Sequence, residues 1–305
     1  MGSDRGLILA AGTLRLLGHK VKTPVSIIIL TYNEEANIRL CLESVKGFTE
    51  DIFIVDSFST DKTLEIAREY TDKIFQNAWT SPPVQRQWAL ANLPCSYEWV
   101  LFVDADECLT ETLRRELQEV VAREMSEPRF GGYYLPWKFF FLGKHIRWGD
   151  RWGIPGELRL CHRNHVRIDD RGKFEIYVCD LEVSHLKEAL IHEDHKPLTA
   201  WIDRHNRYSS QWAEYLWKLS QEQEKSLLEK IGSGDRKLYR KEFIREKILH
   251  KLPVGVRPFL FFLYFYFVRL GILDGGIGFI YHILHTFYYQ LLVEAKFIEL
   301  KNKNL

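Results

Sequence analysis

Val25-Ser26-Ile27-Ile28-Ile29-Leu30-Thr31-Tyr32-Asn33-Glu34 decides the fold of this chain. Its apolar part, 25–30, is too short to cross a membrane and rich in β-branched residues, the composition of a strand buried on both faces. Thr31 and Glu34 stand at capping-box spacing. Beyond them Ala36, Ile38, Leu40, Leu42 and Val45 give the next segment an apolar side until Gly47 stops it. The stretch therefore reads as strand, turn and helix.

The same pattern recurs downstream. Residues 52–55 form a second strand, Asp56-Ser57-Phe58-Ser59-Thr60-Asp61 its loop, and 62–70 a helix. Residues 73–76 read as a short third strand, 83–92 as a third helix and 99–103 as a fourth strand. Strands alternating with helices imply a mostly parallel α/β sheet with ligands at the carboxyl ends of the strands. The fourth strand runs into Asp104-Ala105-Asp106-Glu107. In an extended chain alternate side chains share a face, so Asp104 and Asp106 can direct two carboxylates at one divalent cation. Ordinary surface turns also produce Asp-x-Asp, and only the upstream loops on the same rim raise its meaning.

Thr31-Tyr32-Asn33-Glu34 after one strand, Asp56-Ser57-Phe58-Ser59-Thr60-Asp61-Lys62-Thr63 after the next, and Asp104-Ala105-Asp106-Glu107 further on resemble the family 2 glycosyltransferases in order, spacing and location. The resemblance implies a GT-A fold, a nucleotide-sugar donor with UDP as the carrier, and inversion at the anomeric carbon. It places Thr31, Tyr32 and Glu34 at the nucleoside pocket and Asp56 against the base, a role a fixed carboxylate suits. Asp61 supports that loop, with helix capping as an equal explanation. Arg86 sits where the family places a basic residue facing the diphosphate, and a solvated helix face explains it equally well. Asp104 and Asp106 would hold Mg²⁺ or Mn²⁺ against the diphosphate, with His192 completing the metal shell.

An inverting transfer needs a base for the acceptor hydroxyl. Gly156-Glu157-Leu158-Arg159-Leu160 resembles the Arg-Leu segment of bacterial relatives, which carry a His-Glu pair some way beyond it. This chain has Phe174-Glu175 there, then Leu186 and His192, so Glu175 is the first candidate base although Phe replaces its partner His. Asp194, in His192-Glu193-Asp194-His195, is the second. A polar loop before a helix near Pro197 accounts for Glu193 and His195, and two His three apart make no zinc site by themselves. Trp148 and Trp152 could stack on sugar faces or equally fill a small core.

Composition agrees. The 305 residues are 46% hydrophobic and 27% charged, enough for one large domain and an appendage. A formal net charge of +1 gives no general attraction to nucleic acid, which is not expected as a partner. Five cysteines, odd in number and without a Cys-x-x-Cys pair, fit packing in a reducing compartment. The segment 1–22 contains Leu7-Ile8-Leu9-Ala10-Ala11-Gly12, too short and poorly flanked for a signal peptide, and reads as a short amphipathic stretch.

The catalytic domain is expected over 23–215 and a helical region over 216–305. Residues 236–257 carry eight Lys or Arg against two Glu, and Pro258 to Val268 contains seven aromatic residues in eleven. That run is shorter than the ~20 apolar residues of a spanning helix, and His282, His285 and Gln290 interrupt the next one. A cytoplasmic enzyme lying monotopically on the anionic inner face of the cell membrane is the expectation. A helical pair packed on the catalytic domain, or on a second copy as a homo-oligomer, is the alternative.

Arg257-Pro258 and Arg269-Leu270-Gly271-Ile272-Leu273-Asp274-Gly275-Gly276 also resemble bacterial family 2 enzymes that glycosylate the lipopolysaccharide core. This implies a lipid-linked glycan acceptor. Competing readings are a polyprenyl-phosphate glycosyltransferase, whose acceptor needs little deprotonation, and a noncatalytic glycan-binding protein of the same fold.

Overall fold

The computed structural model describes residues 22–149, 156–170, 175–221 and 253–303. The expected amphipathic segment 1–22 lies, but for its last residue, outside them, as do Trp152, Phe174 and most of the basic run 236–257. The first half alternates as the sequence implies: β1 (Ser26–Thr31), α1 (Ile38–Val45), β2 (Ile52–Asp56), α2 (Thr63–Ala67), β3 (Ile74–Gln76), α3 (Pro82–Asn92) and β4 (Trp99–Asp104). After β5 (Glu107–Cys108) and α4 (Glu111–Glu124) come β6 (Phe130–Leu135), β7 (Trp137–Phe141), β8 (Lys144–His145), β9 (Glu157–His162), β10 (Val166–Asp170), β11 (Glu175–Cys179), β12 (Glu182–His185) and β13 (Leu190–Glu193).

The main sheet has seven strands in the order β12-β6-β9-β4-β1-β2-β3. Its pairs are parallel except where β9 runs antiparallel to β4 and β6. Alternation across the pleat sorts the core into two layers. Ile27, Ile29, Ile54, Leu101 and Val103 meet Cys41, Leu42 and Val45 of α1 and Leu113, Leu117 and Val121 of α4. Ile28, Phe53, Val55, Val100 and Phe102 face Ala89 and Leu90 of α3 on the other side. Two covered faces explain why these strands read as continuous apolar runs. A smaller sheet, β5-β13-β7-β8, stands beside the carboxyl end of β4, and β10 and β11 form a separate antiparallel pair.

The capping box expected at Thr31 and Glu34 does not form. The helix begins at Ile38 with Asn37 at its N-cap, because Thr31 stays in β1 and its hydroxyl donates to Asp56 at 3.0 Å. Helix α5 (Leu198–Gln221) runs through residue 215 without a break. Beyond it, α6 (Val256–Leu263), α7 (Gly275–His282) and α8 (Tyr289–Lys303) pack back onto the chain. Trp201 of α5 shares a cluster with Phe141, Ile146 and Tyr281, and Lys296 of α8 donates to Asn206, Ser209 and Ser210. The C-terminal helices are thus joined to the α/β domain by buried contacts. All five cysteines are free.

Candidate active site

The parallel pairing of β1 with β2 and β4 brings Thr31, Asp56 and Asp104 to one rim, with Thr31 opposite Asp56 and Leu30 opposite Asp104. The two loops above that rim are zipped together. The Asn33 amide donates to Ser59 Oγ at 2.9 Å, Glu34 N to Thr63 Oγ1 at 2.7 Å, and Thr60 N to Asn33 Oδ1 at 2.8 Å. Asn33 and Phe58 sit at φ 52° and 61°, uncommon for non-glycine residues and held here by those bonds. Asp61 accepts from Thr63 N at 2.9 Å and Glu35 N at 3.1 Å, so its carboxylate links the two loops at the start of α2.

Asp56 is fully buried. It accepts from Thr31, from the amide and hydroxyl of Ser59, and from Gln76 at 3.2 Å. Four donors fill a carboxylate. The longest of these bonds comes from the exposed Gln76.

Around Asp104 the structure gathers charge. Arg86 is buried rather than solvated, and its Nη2 donates to Asp104 at 2.9 Å. Arg159, on β9, donates to Asp104 at 2.7 Å and to Glu107 at 2.8 Å and lies against the Trp137 ring. Burial alone would raise the Asp104 carboxyl, but Arg159 and Arg86 hold it well below the usual range. Glu107, wholly buried, is pushed up to about 7 by burial despite Arg159. Sequence reasoning left Arg159 and Glu107 without roles. An arginine inside the alternating strand Glu157-Leu158-Arg159-Leu160-Cys161 was the available signal, since a buried cation demands a partner.

Asp106 faces His192 because β13 pairs with β5 in a register that sets His192 opposite Glu107. His192 Nε2 lies 3.4 Å from Asp106 Oδ2, and the edges of Trp137 and Phe139 pack on its ring. Burial would lower His192, but Asp106, Glu107 and Asp104 push it up to about 9. Asp106 itself is held low chiefly by His192, against burial. Two carboxylates and a histidine on one rim are ligand types that Mg²⁺ or Mn²⁺ takes, and His192 would have to give up its proton to serve as one. Among the described residues no group of three His, Cys, Asp or Glu is already placed to hold a metal ion.

The turn after β13 closes the rim. Asn37 donates to Glu34 at 2.7 Å and to Asp194 at 2.9 Å, and its carbonyl accepts from His195 N. Lys196 pairs with Glu34 at 2.5 Å, and Arg204 of α5 with Asp194 at 2.7 Å. Burial and Asp106 push Glu34 up to about 7. Asp194 also accepts from Lys196 N, so its oxygens are occupied by three donors and it orients Arg204. Tyr32, Asn33, Lys196, Arg204 and Arg207 line a cavity of about 510 Å³, within the span of small-ligand pockets. Arg204 and Arg207 carried no sequence signal, because only the return of α5 brings Arg204 within 3.9 Å of Asp106 and both arginines to this cavity. Glu175 opens β11, where its backbone pairs with Asp170, and its side chain lies outside the described residues.

A parallel sheet with one reversed strand, and a rim carrying two zipped loops, a carboxylate pair and a cation-lined cavity, set a polar site at the carboxyl ends of the strands, where α/β folds bind their ligands. The family model described as glycosyl transferase family 2 matches residues 26–179, and the chain belongs to that family. The lipopolysaccharide core biosynthesis glycosyltransferase LpsC of Rhizobium meliloti is 39% identical over 157 residues, covering 50% of this chain and 53% of that one. An uncharacterized glycosyltransferase of Rickettsia typhi is 33% identical over 119 residues, covering 39% of this chain and 40% of that one. The chain thus spans about half the length, or less, of these curated relatives. Among solved structures, Staphylococcus aureus TarS 1–349 aligns over 91% of this chain and 88% of its own at 16% identity, with a TM-score of 0.43. Glucosyl-3-phosphoglycerate synthase of Mycobacterium tuberculosis, in complex with Mn²⁺, UDP and glucosyl-3-phosphoglycerate, covers 59% of this chain and 75% of its own at 14% identity, with a TM-score of 0.39.

Proposed function

We propose that this protein is a metal-dependent inverting glycosyltransferase that moves a sugar from a UDP-sugar to a lipid-linked glycan at the cytoplasmic face of the cell membrane, in lipopolysaccharide core or related envelope synthesis. The observation that carries the reading is the meeting of Asp106 and His192, 3.4 Å apart, beside a cavity lined by Arg204, Arg207 and Lys196. Asp56 takes the base N–H and Tyr32 covers the nucleoside. Asp104, Asp106 and His192 would hold the divalent cation, which supplies charge neutralisation for the departing diphosphate. Arg207, exposed at the cavity, takes phosphate oxygens, a role that Arg86 and Lys196 leave to it because they are engaged with Asp104 and Glu34.

Glu175 accepts the proton of the acceptor hydroxyl. The freed oxygen attacks the anomeric carbon from the face opposite the nucleotide, and the bond to the diphosphate breaks as the new glycosidic bond forms. The likeness to LpsC supports a lipopolysaccharide core acceptor. A panel of nucleotide sugars, assayed for release of free nucleotide with and without Mn²⁺, tests the donor. Release only from a UDP-sugar with metal present is the expected result. Full turnover by both Glu175→Gln and Asp194→Asn would favour a polyprenyl-phosphate acceptor instead.

A further inference from the structure

Eleven of the large apolar side chains exposed among the described residues lie between Val254 and Ile280. Nine of them, all but Val254 and Leu270, belong to two helical arms, Val256–Val268 and Gly271–Lys303, bent by 72° at the break between them. Leu270 itself takes φ 63°, a left-handed conformation that turns the chain sharply. Phe259, Tyr264, Phe267, Val268, Leu273 and Phe279 are each between 44% and 68% exposed, where most other aromatic and aliphatic residues of this size are covered. The two arms meet through Phe262 and Tyr266, which pack on Phe279, so their exposed residues belong to one elbow. Of the three charged residues in 254–280, Arg257 is buried against Glu294 and Asp274 is buried, leaving Arg269 exposed. A patch of this size and purity is unusual on a soluble surface.

We propose that this elbow is a wedge that inserts in the plane of a lipid bilayer interface, bringing the rim of the sheet to its acceptor. The first arm has 13 residues, about 20 Å of helix, too short for a hydrocarbon core of about 30 Å. The second arm gains Glu294, Lys296, Glu299 and Lys301 toward its end, so it leaves the apolar phase. Phe and Tyr at an elbow with a basic run just before it in sequence suit the headgroup boundary of an anionic membrane.

The wedge is fastened to the site. Asp274 accepts from the amides of Arg147 and Trp148 at 3.1 and 2.9 Å, and the Gly149 amide donates to Arg269 O at 2.8 Å. Tyr281 packs on Phe139, whose other side contacts His192. The inference extends the lipid-linked acceptor of the proposed function by naming the element that meets the lipid.

Flotation of the full chain with vesicles of phosphatidylethanolamine, alone or with a quarter phosphatidylglycerol, tests it. Wild type floats with both and more completely with the anionic mixture. The triple variant Phe259→Ser, Phe267→Ser, Leu273→Ser, altered only at exposed positions, loses at least about tenfold in bound fraction at an unchanged melting temperature. Unchanged flotation of that variant, no flotation of wild type, or a wild-type dimer that the variant dissociates would overturn the proposal, the last by showing a second copy on this face. UDP release in vesicle-free buffer reports separately on the transferase reading, since its failure with flotation intact leaves the wedge standing.

Discussion

Arg159 on β9 and Asp104 on β4 meet at 2.7 Å, and the same guanidinium nitrogen reaches Glu107 at 2.8 Å. One buried cation thereby fixes the first carboxylate of the pair and the acid three residues on. Arg159→Met leaves both carboxylates without it. Removing one partner of a buried pair costs about 3 kcal/mol or more, and the partial openness of Asp104 sets the expectation at the lower end. Urea unfolding at neutral pH measures this, and a loss below about 1 kcal/mol would show that the cation is not structural.

Arg207 of α5 is exposed at the cavity beside Tyr32, while Lys196 in the same lining is paired with Glu34. Arg207→Ala should weaken UDP about tenfold, the effect of one charged hydrogen bond, while leaving uridine binding unchanged. Calorimetric titration of both ligands separates the outcomes. Equal weakening of uridine would place Arg207 at the nucleoside instead.

Asn37, buried at the start of α1, ties the turn after β1 to the turn after β13 through Glu34, Asp194 and the His195 amide. Asn37→Ala unmakes all three bonds. A stability loss of about 2 kcal/mol is expected, from the desolvation left uncompensated at each group. Thermal unfolding checks it, with Asn37→Ser as the milder comparison.

His205 stacks on Trp201 with ring centroids 3.5 Å apart, and its Nδ1 lies 2.8 Å from Trp201 O. Burial pushes it down to about 4. Between that value and the ~6.5 of an unfolded histidine, the unfolded chain binds the extra proton. The contribution of His205 is therefore intact above about pH 6.5 and lost as pH falls toward 4. His205→Gln should flatten that part of the stability curve, measured by urea midpoints across the same window.

Much of the fold was legible because buried parallel strands announce themselves. β1, β2 and β4 begin or end within a residue of where their apolar runs imply. The capping box at Thr31 was misleading because a tertiary partner, Asp56, claimed the hydroxyl that local spacing offered to a helix. Arg86 illustrates a second limit. Its position on α3 was correct, but only the approach of β4 decides that it is buried against Asp104 rather than solvated. His192 reached Asp106 through an antiparallel register across 85 residues of chain that no local pattern encodes, and α5 passed residue 215 because its later turns are covered by α8.

The central claim is that Asp106 and His192 hold a cation against the diphosphate of a nucleotide sugar. Its most direct measurement is the rate of UDP release from a UDP-sugar in Mn²⁺ and in chelator, for wild type and for Asp106→Asn and His192→Gln. The account predicts metal-dependent release by wild type and a loss of about 100-fold in each variant, equivalent to about 2.7 kcal/mol of transition-state stabilisation. Undiminished release in chelator, or variants as fast as wild type, would contradict it.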